Sequence, residues 1–255
     1  MSFPPWLTWL DECASTNTWA LQHIDKFKQG DVVFTPRQTS GRGQQGRLWY
    51  APAGVLTASF ILQPIAPAEL PLLSLAAGLA VIHALEDLIS LPASALGIKW
   101  PNDVLLWGRK LAGVLGEARL PLAVVGVGLN RQVDWEMVLA AGTINLTPEQ
   151  VTSLSEITAT PPDVLPLLVK LRDYLLQAHG VIRHGGLAGL LPQLRQRDVL
   201  YGCPLIVSTG QGNLTGAGAG IDELGRLLVQ SNNGSLQALA AGRVLRWEAL
   251  RRGQE

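Results

Sequence analysis

Short segments of apolar residues, either alternating with polar ones or continuous, recur over the first half of the chain. Segments of this length, rich in β-branched and aromatic residues, are typical of β-strands. Seven strands are predicted, at residues 6–10, 31–35, 55–62, 98–100, 104–107, 111–117 and 122–129. The last four follow one another through short turns after a single helix. This pattern favours a mixed, largely antiparallel sheet flanked by helices, which is an α+β fold.

Two helices are predicted among these strands. The first begins at the cap-forming side chains of Ser15, Thr16 and Asn17, and its apolar residues keep helical spacing as far as Gly30. The second covers 72–88 and lies in the longest apolar stretch of the chain. A proline, a serine and a histidine interrupt that stretch, and two acidic residues follow it. A buried core helix is therefore favoured over a membrane-spanning one.

The pattern changes in the second half of the chain. Two helices are predicted there, one capped by Thr160 with Pro161 in its first turn and one at 187–197. Short strands separated by Gly and Asn turns follow, at residues 203–208, 213–221, 226–230 and 235–239. We therefore predict two domains, 1–198 and 199–255, of which the second is a small β-barrel.

Composition narrows the class of protein. Hydrophobic residues make up 47% of the 255 residues, which is enough for one large core. The 20 basic and 20 acidic residues balance, which argues against electrostatic binding of nucleic acid. Cys13 and Cys203 lie far apart without neighbouring ligand residues, so neither a disulfide nor a metal site is expected. With no signal peptide predicted, a reducing cytoplasm is the expected location.

The stretch from Gln38 to Trp49 fits neither a helix nor a strand. It combines three glycines, two arginines and a terminal tryptophan. Glycine lets backbone N–H groups approach a ligand closely, and arginine binds phosphate or carboxylate with a planar fork. Such a loop suits a nucleotide or an acyl phosphate. By itself it also fits an RGG-like nucleic-acid contact or an ordinary flexible turn.

Four further motifs accompany this loop. They are Ser15-Thr16-Asn17 before it and, after it, Lys99 to Asp103, Lys110 to Glu117 and Gly126 to Asn130. In that order and spacing, from about Ser15 to Arg246, the chain resembles the biotin protein ligases, which attach biotin to acyl-carrier domains. The resemblance implies the class II synthetase-like fold of biotin–lipoate ligases with a small C-terminal SH3-like β-barrel. Because no DNA-binding segment precedes the first strand, a monofunctional ligase is expected.

The resemblance also implies a biotin site. Biotin contacts are implied for Ser15, Thr16, Asn17, Gln38, Gly41, Arg42, Gly113 and Leu115. The ureido ring of biotin presents two N–H groups and a carbonyl, so it requires uncharged donors and acceptors at fixed positions. Helix capping alone explains Ser15, Thr16 and Asn17 equally well. The loop would fold over biotin and its adenylate.

A nucleotide site is implied beside the biotin site. Arg42 and Lys110 would be the catalytic cations that neutralise the biotin carboxylate and the α-phosphate, although Lys110 also fits an exposed strand end. Nucleotide contacts are implied for Arg47, Trp49, Lys110 and Asn130. Asp103 is a candidate neighbour of Mg²⁺ or of the ribose, and its motif also suits a plain turn. Gln44 stands where arginine is commonest in the family.

The implied activity is ATP-dependent ligation. Biotin would be activated as biotinyl-5′-AMP and transferred to a lysine of a biotin carboxyl carrier protein, an acetyl-CoA carboxylase subunit. ATP with Mg²⁺ would be bound as substrate, and no tightly held metal, DNA or membrane partner is expected. A lipoate–protein ligase and a non-catalytic biotin sensor are the alternatives. The motifs typical of lipoate ligases, a double arginine and a run of glycines, are not seen in this sequence. The cations Arg42, Arg47 and Lys110 disfavour a sensor that binds biotin without catalysis. The sequence leaves open whether the protein is a monomer or a homodimer.

Overall fold

The computed structural model describes residues 3–248 except 64–65, 67–68, 93, 120–121, 143 and 145. The elements of the first part are β1 (Leu7–Trp9), α1 (Thr16–Gln22), β2 (Val32–Thr35), β3 (Gly41–Arg42), β4 (Leu48–Trp49), β5 (Val55–Leu62), α2 (Leu70–Leu88), β6 (Leu96–Lys99), β7 (Asp103–Leu106), β8 (Arg109–Arg119), β9 (Leu122–Asn130) and α3 (Trp135–Ala140). The elements of the second part are α4 (Val164–Gly185), α5 (Leu191–Arg197), β10 (Pro204–Thr209), β11 (Gly212–Ile221), β12 (Leu227–Gln230), β13 (Leu236–Leu239) and β14 (Arg243–Trp247).

A seven-stranded sheet forms the centre of the first part, in the order β1-β2-β5-β9-β8-β7-β6. The β1–β2 pair is parallel, and the other neighbouring pairs are antiparallel. The mixed, largely antiparallel sheet and the α+β class are therefore confirmed. All seven predicted strands are present, because their apolar patterns are long enough to define a strand without tertiary information.

Helices cover both faces of this sheet. Val33, Ile61 and Val124 form a small core cluster with α1 on one face. Phe34 follows Val33 on β2, and Phe60 precedes Ile61 on β5. Both phenylalanines belong instead to the main core with α2 and α4. Successive side chains of a strand point to opposite faces, so strands covered on both faces must be apolar throughout. This explains why every residue of β5 is buried.

The apolar composition of α2 follows from its position. Every residue from Leu72 to Ile82 is buried. By length and composition α2 is the one helix of the described residues that could cross a membrane, and 72% of its most apolar window is buried inside the protein. The helix is therefore a core helix, as predicted, and it is buried between the central sheet and α4.

The start of α4 differs from the prediction. Asp163, not Thr160, is the residue that precedes the first helical turn. The reason is local: Pro162 pushes the preceding Pro161 out of the helical region, so the helix begins only after the second proline. The short helix α3 was also missed, although Asp134 caps it by accepting a hydrogen bond from the backbone N–H of Met137 at 2.9 Å.

A five-stranded antiparallel sheet in the order β13-β12-β11-β10-β14 forms the C-terminal part. The expected SH3-like barrel is not closed, because its edge strands β13 and β14 do not pair in the part of the chain that is described. Most of their side chains are exposed, Leu236 and Leu245 among them, so these two edges are not packed against each other. β14 was not predicted, since of its five residues only Val244 is buried. The boundary at residue 198 stays a prediction.

Candidate active site

One wide cavity of about 840 Å³ opens where the central sheet, the 38–49 segment and β14 meet. Twelve of the thirteen residues singled out from the sequence line it: Ser15, Thr16, Asn17, Gln38, Arg42, Arg47, Trp49, Asp103, Lys110, Gly113, Leu115 and Asn130. Gly41 lies beside it, where a Cβ would come 2.5 Å from Nε2 of Gln38. Segments that are far apart in sequence thus converge on one space.

The 38–49 segment is more regular than predicted. β3 and β4 form a small hairpin in which Gly41 pairs with Trp49 and Arg42 with Leu48. A single 3₁₀ turn at its tip contains Gln45 with a positive φ of 57°. Arg42, Arg47 and Trp49 of this hairpin line the cavity.

Uncharged polar groups form one end of the cavity. Oε1 of Gln38 accepts hydrogen bonds from the backbone N–H of Thr16 at 2.9 Å and from its hydroxyl at 3.3 Å. Ser15 caps α1, since its hydroxyl oxygen accepts from the backbone N–H of Thr18. The capping role therefore holds for Ser15, and it leaves the hydroxyl proton of Ser15 available to a ligand.

Asn17 is held by three residues beneath this end. Its Nδ2 donates to the backbone oxygen of Leu115 at 3.2 Å and to Oε2 of Glu117 at 2.9 Å, while its Oδ1 lies 2.6 Å from the hydroxyl of Ser59. Gly126 makes room for it, because a Cβ there would come 2.5 Å from Oδ1. Both Nδ2 protons are used within the protein, so Asn17 can offer a ligand only the second lone pair of Oδ1.

Cations collect at the other end. Nζ of Lys110 lies 2.5 Å from Oδ1 of Asp103 and 5.3 Å from the ring centroid of Trp49. The guanidinium of Arg47 donates a hydrogen bond to the backbone oxygen of Gln44 at 3.2 Å. Lys99 lines the same space, and neither it nor Arg47 forms an ion pair within the described residues.

The Lys99 ammonium is largely buried and lies near several other charged groups. Burial lowers its pKa, and the nearby cations Lys110, Arg243 and Arg47 lower it further, whereas Asp103 acts in the opposite direction. A desolvated cation among other cations favours the binding of an anion of several charges. Arg243, on β14, adds the C-terminal sheet to this end of the cavity.

Trp49 lies on a floor made by two glycines. A Cβ at Gly113 would come 2.8 Å from Cζ3 of its indole, and a Cβ at Gly128 would overlap the ring. Two buried polar atoms near this floor lack a hydrogen-bond partner within the described residues, Nε1 of Trp49 and Oδ1 of Asn130. Because an unpaired buried donor or acceptor is costly, a donor–acceptor pair of this kind indicates a ligand with a complementary polar edge.

Comparison with known proteins places these features in a family. Residues 10–130 match the biotin/lipoate A/B protein ligase family, and residues 205–247 match the biotin protein ligase C-terminal domain. A biotin–[acetyl-CoA-carboxylase] ligase of Mycobacterium tuberculosis is 34% identical, with 85% of this chain and 79% of that protein covered. The chain belongs to the biotin protein ligase family.

Other members of the biotin protein ligase family support the same assignment. A biotin–[acetyl-CoA-carboxylase] ligase of Paracoccus denitrificans is 31% identical, with 86% of this chain and 92% of that protein covered. The structure of the Aquifex aeolicus biotin protein ligase in complex with biotin and ATP superposes with a TM-score of 0.80 at 27% identity, covering 96% of this chain and 99% of that one.

Neither the family resemblance nor the sequence pattern identified three residues that line this biotin-ligase cavity or contact residues lining it. Glu117 is the last residue of a quoted motif, yet only the structure shows it joining Asn17 to Arg42. Ser59 is an ordinary strand residue by pattern, and the available signal was a polar side chain in a largely apolar run. Arg243 carried no sequence signal, because its strand was not predicted.

Asp103 was a candidate neighbour of Mg²⁺. No group of three His, Cys, Asp or Glu side chains surrounds it in the described part of the chain. Mg²⁺ in ATP-dependent enzymes is commonly held by one or two carboxylates together with the substrate phosphates. A single carboxylate beside a cationic pocket fits that mode, with the metal ion arriving on ATP. The role of Asp103 toward Mg²⁺ remains a prediction.

Proposed function

We propose that this protein is a biotin protein ligase that activates biotin with ATP as biotinyl-5′-AMP and transfers it to a lysine of a biotin carboxyl carrier protein. One observation carries the proposal: a single cavity joins an uncharged hydrogen-bonding end to a cationic end. Biotin has the matching layout, with a neutral cyclic urea at one end and a carboxylate at the other. The carboxylate would then lie where the phosphates of ATP bind.

At the neutral end, Ser15, Thr16 and Gln38 would bind the ureido group. Asn17 would take part through its Oδ1 while its amide, fixed by Leu115 and Glu117, keeps α1 against β8. Polar groups that are already fixed lose little conformational entropy when a ligand binds.

At the cationic end, biotin carboxylate attacks the α-phosphorus of ATP, and the bond to the leaving pyrophosphate breaks. Both reactants are anions, so the reaction depends on positioned positive charge and not on a nucleophilic side chain. Lys110 would stabilise the charge that develops on the α-phosphate, and Arg42 would join it through the guanidinium N–H groups that Glu117 does not hold. Arg47, Lys99 and Arg243 would hold the departing pyrophosphate. Mg²⁺ bound to ATP would neutralise part of the same charge.

The nucleoside would lie over Trp49, with its polar edge toward Asn130. This position would use the unpaired Oδ1 of Asn130. In the second half-reaction the acceptor lysine, as the neutral amine, attacks the acyl carbon of the adenylate. The bond from that carbon to AMP breaks, and the new amide releases a proton to solvent.

We also propose that the carrier is an acetyl-CoA carboxylase subunit and that the protein acts in the cytoplasm. The names of the relatives support the first part. The second part is supported by the sequence, in which Cys13 and Cys203 lie far apart without neighbouring ligand residues, a pattern that favours a reducing compartment.

The test is biotin-dependent exchange of labelled pyrophosphate into ATP, followed by mass spectrometry of an apo carrier domain incubated with ATP and biotin. We expect exchange only with biotin and one biotinyl group on the carrier, and none on a carrier whose acceptor lysine is replaced by arginine. Exchange that depends on lipoate would show a lipoate ligase. Tight biotin binding without any exchange would show a non-catalytic sensor.

A further inference from the structure

The turn between β7 and β8 has an unusual composition. Leu106 pairs directly with Arg109, so Trp107 and Gly108 alone make the connection. Both have positive φ, 48° for Trp107 and 80° for Gly108. Tight hairpin turns with this geometry are normally built from Asn-Gly or Asp-Gly, because short polar side chains and glycine tolerate it.

Trp107 is poorly suited to this position. A bulky side chain at positive φ crowds its own backbone, and such residues are outliers in folded proteins. Burial does not offset the strain, because 54% of the Trp107 surface is exposed. Its indole stacks on no other ring within the described residues. Strained residues that the fold does not need are found mainly at functional sites.

The turn lies on the rim of the cavity. Leu105 and Gly108, on either side of Trp107, both line the cavity, as does Lys110 on the following strand. The space beside Gly108 is open, with no atom within 4 Å of where its Cβ would be. Trp107 itself does not line the cavity, and its side chain is exposed between residues that do.

We propose that Trp107 is a docking contact for the carrier domain whose lysine accepts the activated biotin, and that it packs against an apolar patch of that domain. The inference rests on the proposed function. Biotin and ATP bind within the cavity, whereas a folded carrier must cover the rim for its lysine to enter. Tryptophan is among the residues that contribute most to protein–protein interfaces.

If Trp107 contacts the carrier, its replacement should slow the transfer of biotin to the carrier without slowing the formation of the adenylate. In Trp107→Asn the strained residue is replaced by one that this turn favours, so the melting temperature should rise by about 2–4 °C. Biotin-dependent pyrophosphate exchange should stay at the wild-type rate. Biotinylation of the apo carrier domain of an acetyl-CoA carboxylase should fall by at least about 10-fold in kcat/KM, as expected when a central interface tryptophan is truncated. Trp107→Phe should retain part of the activity.

Leu236→Asn is the matched control. Leu236 is an exposed apolar residue on β13, at the edge of the C-terminal sheet opposite β14, and its replacement should change neither reaction. Wild-type kcat/KM for the carrier in Trp107→Asn would overturn the inference, and so would an equal loss in both half-reactions. Absence of exchange in the wild-type protein would instead overturn the proposed function.

Discussion

Arg42 in the β3–β4 hairpin and Glu117 on β8 are joined by an ion pair, with Nη2 of the arginine 2.9 and 3.0 Å from the two carboxylate oxygens. Oε2 of Glu117 also accepts a hydrogen bond from Nδ2 of Asn17 at 2.9 Å. One carboxylate therefore connects the hairpin with the helix that carries the uncharged polar end.

Glu117→Gln should loosen the hairpin with little effect on global stability. The amide keeps a hydrogen-bond acceptor for Asn17 but loses the charge that holds Arg42. Because the pair is partly exposed, its loss should change the free energy of unfolding by less than about 1 kcal/mol. Amide hydrogen exchange across 39–48 should nevertheless become faster in the ligand-free protein. Unchanged exchange in this segment would show that the ion pair does not hold the hairpin.

Biotin or biotinyl-adenylate should protect the 39–48 segment from hydrogen exchange. Backbone ordering costs roughly 1–2 kcal/mol per residue, and Gly43 and Gly46 add to the cost, so ligand contacts must contribute to closure. Arg42→Gly should reduce this protection and let reactive adenylate escape, which would label lysines of bystander proteins. Equal protection with and without biotin would indicate a hairpin formed in advance.

Lys110→Ala should reduce the rate of adenylation by roughly 10²–10³-fold, the usual effect of losing one preorganised group at a developing charge. Its side chain is partly exposed and forms its one ion pair in the described part of the chain with Asp103, so the fold should remain intact by circular dichroism. Pyrophosphate exchange measures the rate, and Lys110→Arg, which keeps the positive charge, serves as the control. A wild-type rate in Lys110→Ala would exclude the catalytic role.

Trp49→Ala should weaken ATP binding more than biotin binding, because stacking on a nucleobase contributes about 1–3 kcal/mol. Gly128→Ala should have the same effect, since a Cβ there would overlap the indole and displace it. Isothermal titration with each ligand compares the two affinities. If biotin affinity fell while ATP affinity were unchanged, Trp49 would belong to the biotin end of the cavity.

Lys99→Met should stabilise the ligand-free protein at neutral pH and lower its affinity for ATP. Burial lowers the pKa of Lys99 below its ordinary value of 10.5, so the folded state binds fewer protons than the unfolded state as pH approaches that value. Stability of the wild-type protein therefore rises with pH in the window between the lowered pKa and 10.5. The advantage of the methionine variant should shrink across that window, as measured by melting temperature against pH. A constant difference would indicate that Lys99 does not change charge on unfolding.

Much of this protein could be predicted from its sequence, because the deciding information is local. The apolar runs of β5 and β9, the buried helix α2 and the cap at Ser15 each lie within a few consecutive residues. The motifs around Arg42, Lys110 and Asn130 identified the family in the same way, since the order of short segments is a property of the chain. The proline pair before α4 was an equally local signal, and its effect on the helix start was misjudged.

The tertiary structure decided the features that depend on distant residues meeting. The contact of Glu117 with Arg42 spans 75 residues, and Asn17 reaches the same carboxylate across 100. Arg243 joins the cationic end only because β14 pairs with β10, and its own short, exposed sequence predicts no strand. Sequence patterns report which face of an element is buried, whereas the partners of a polar side chain depend on how the elements pack.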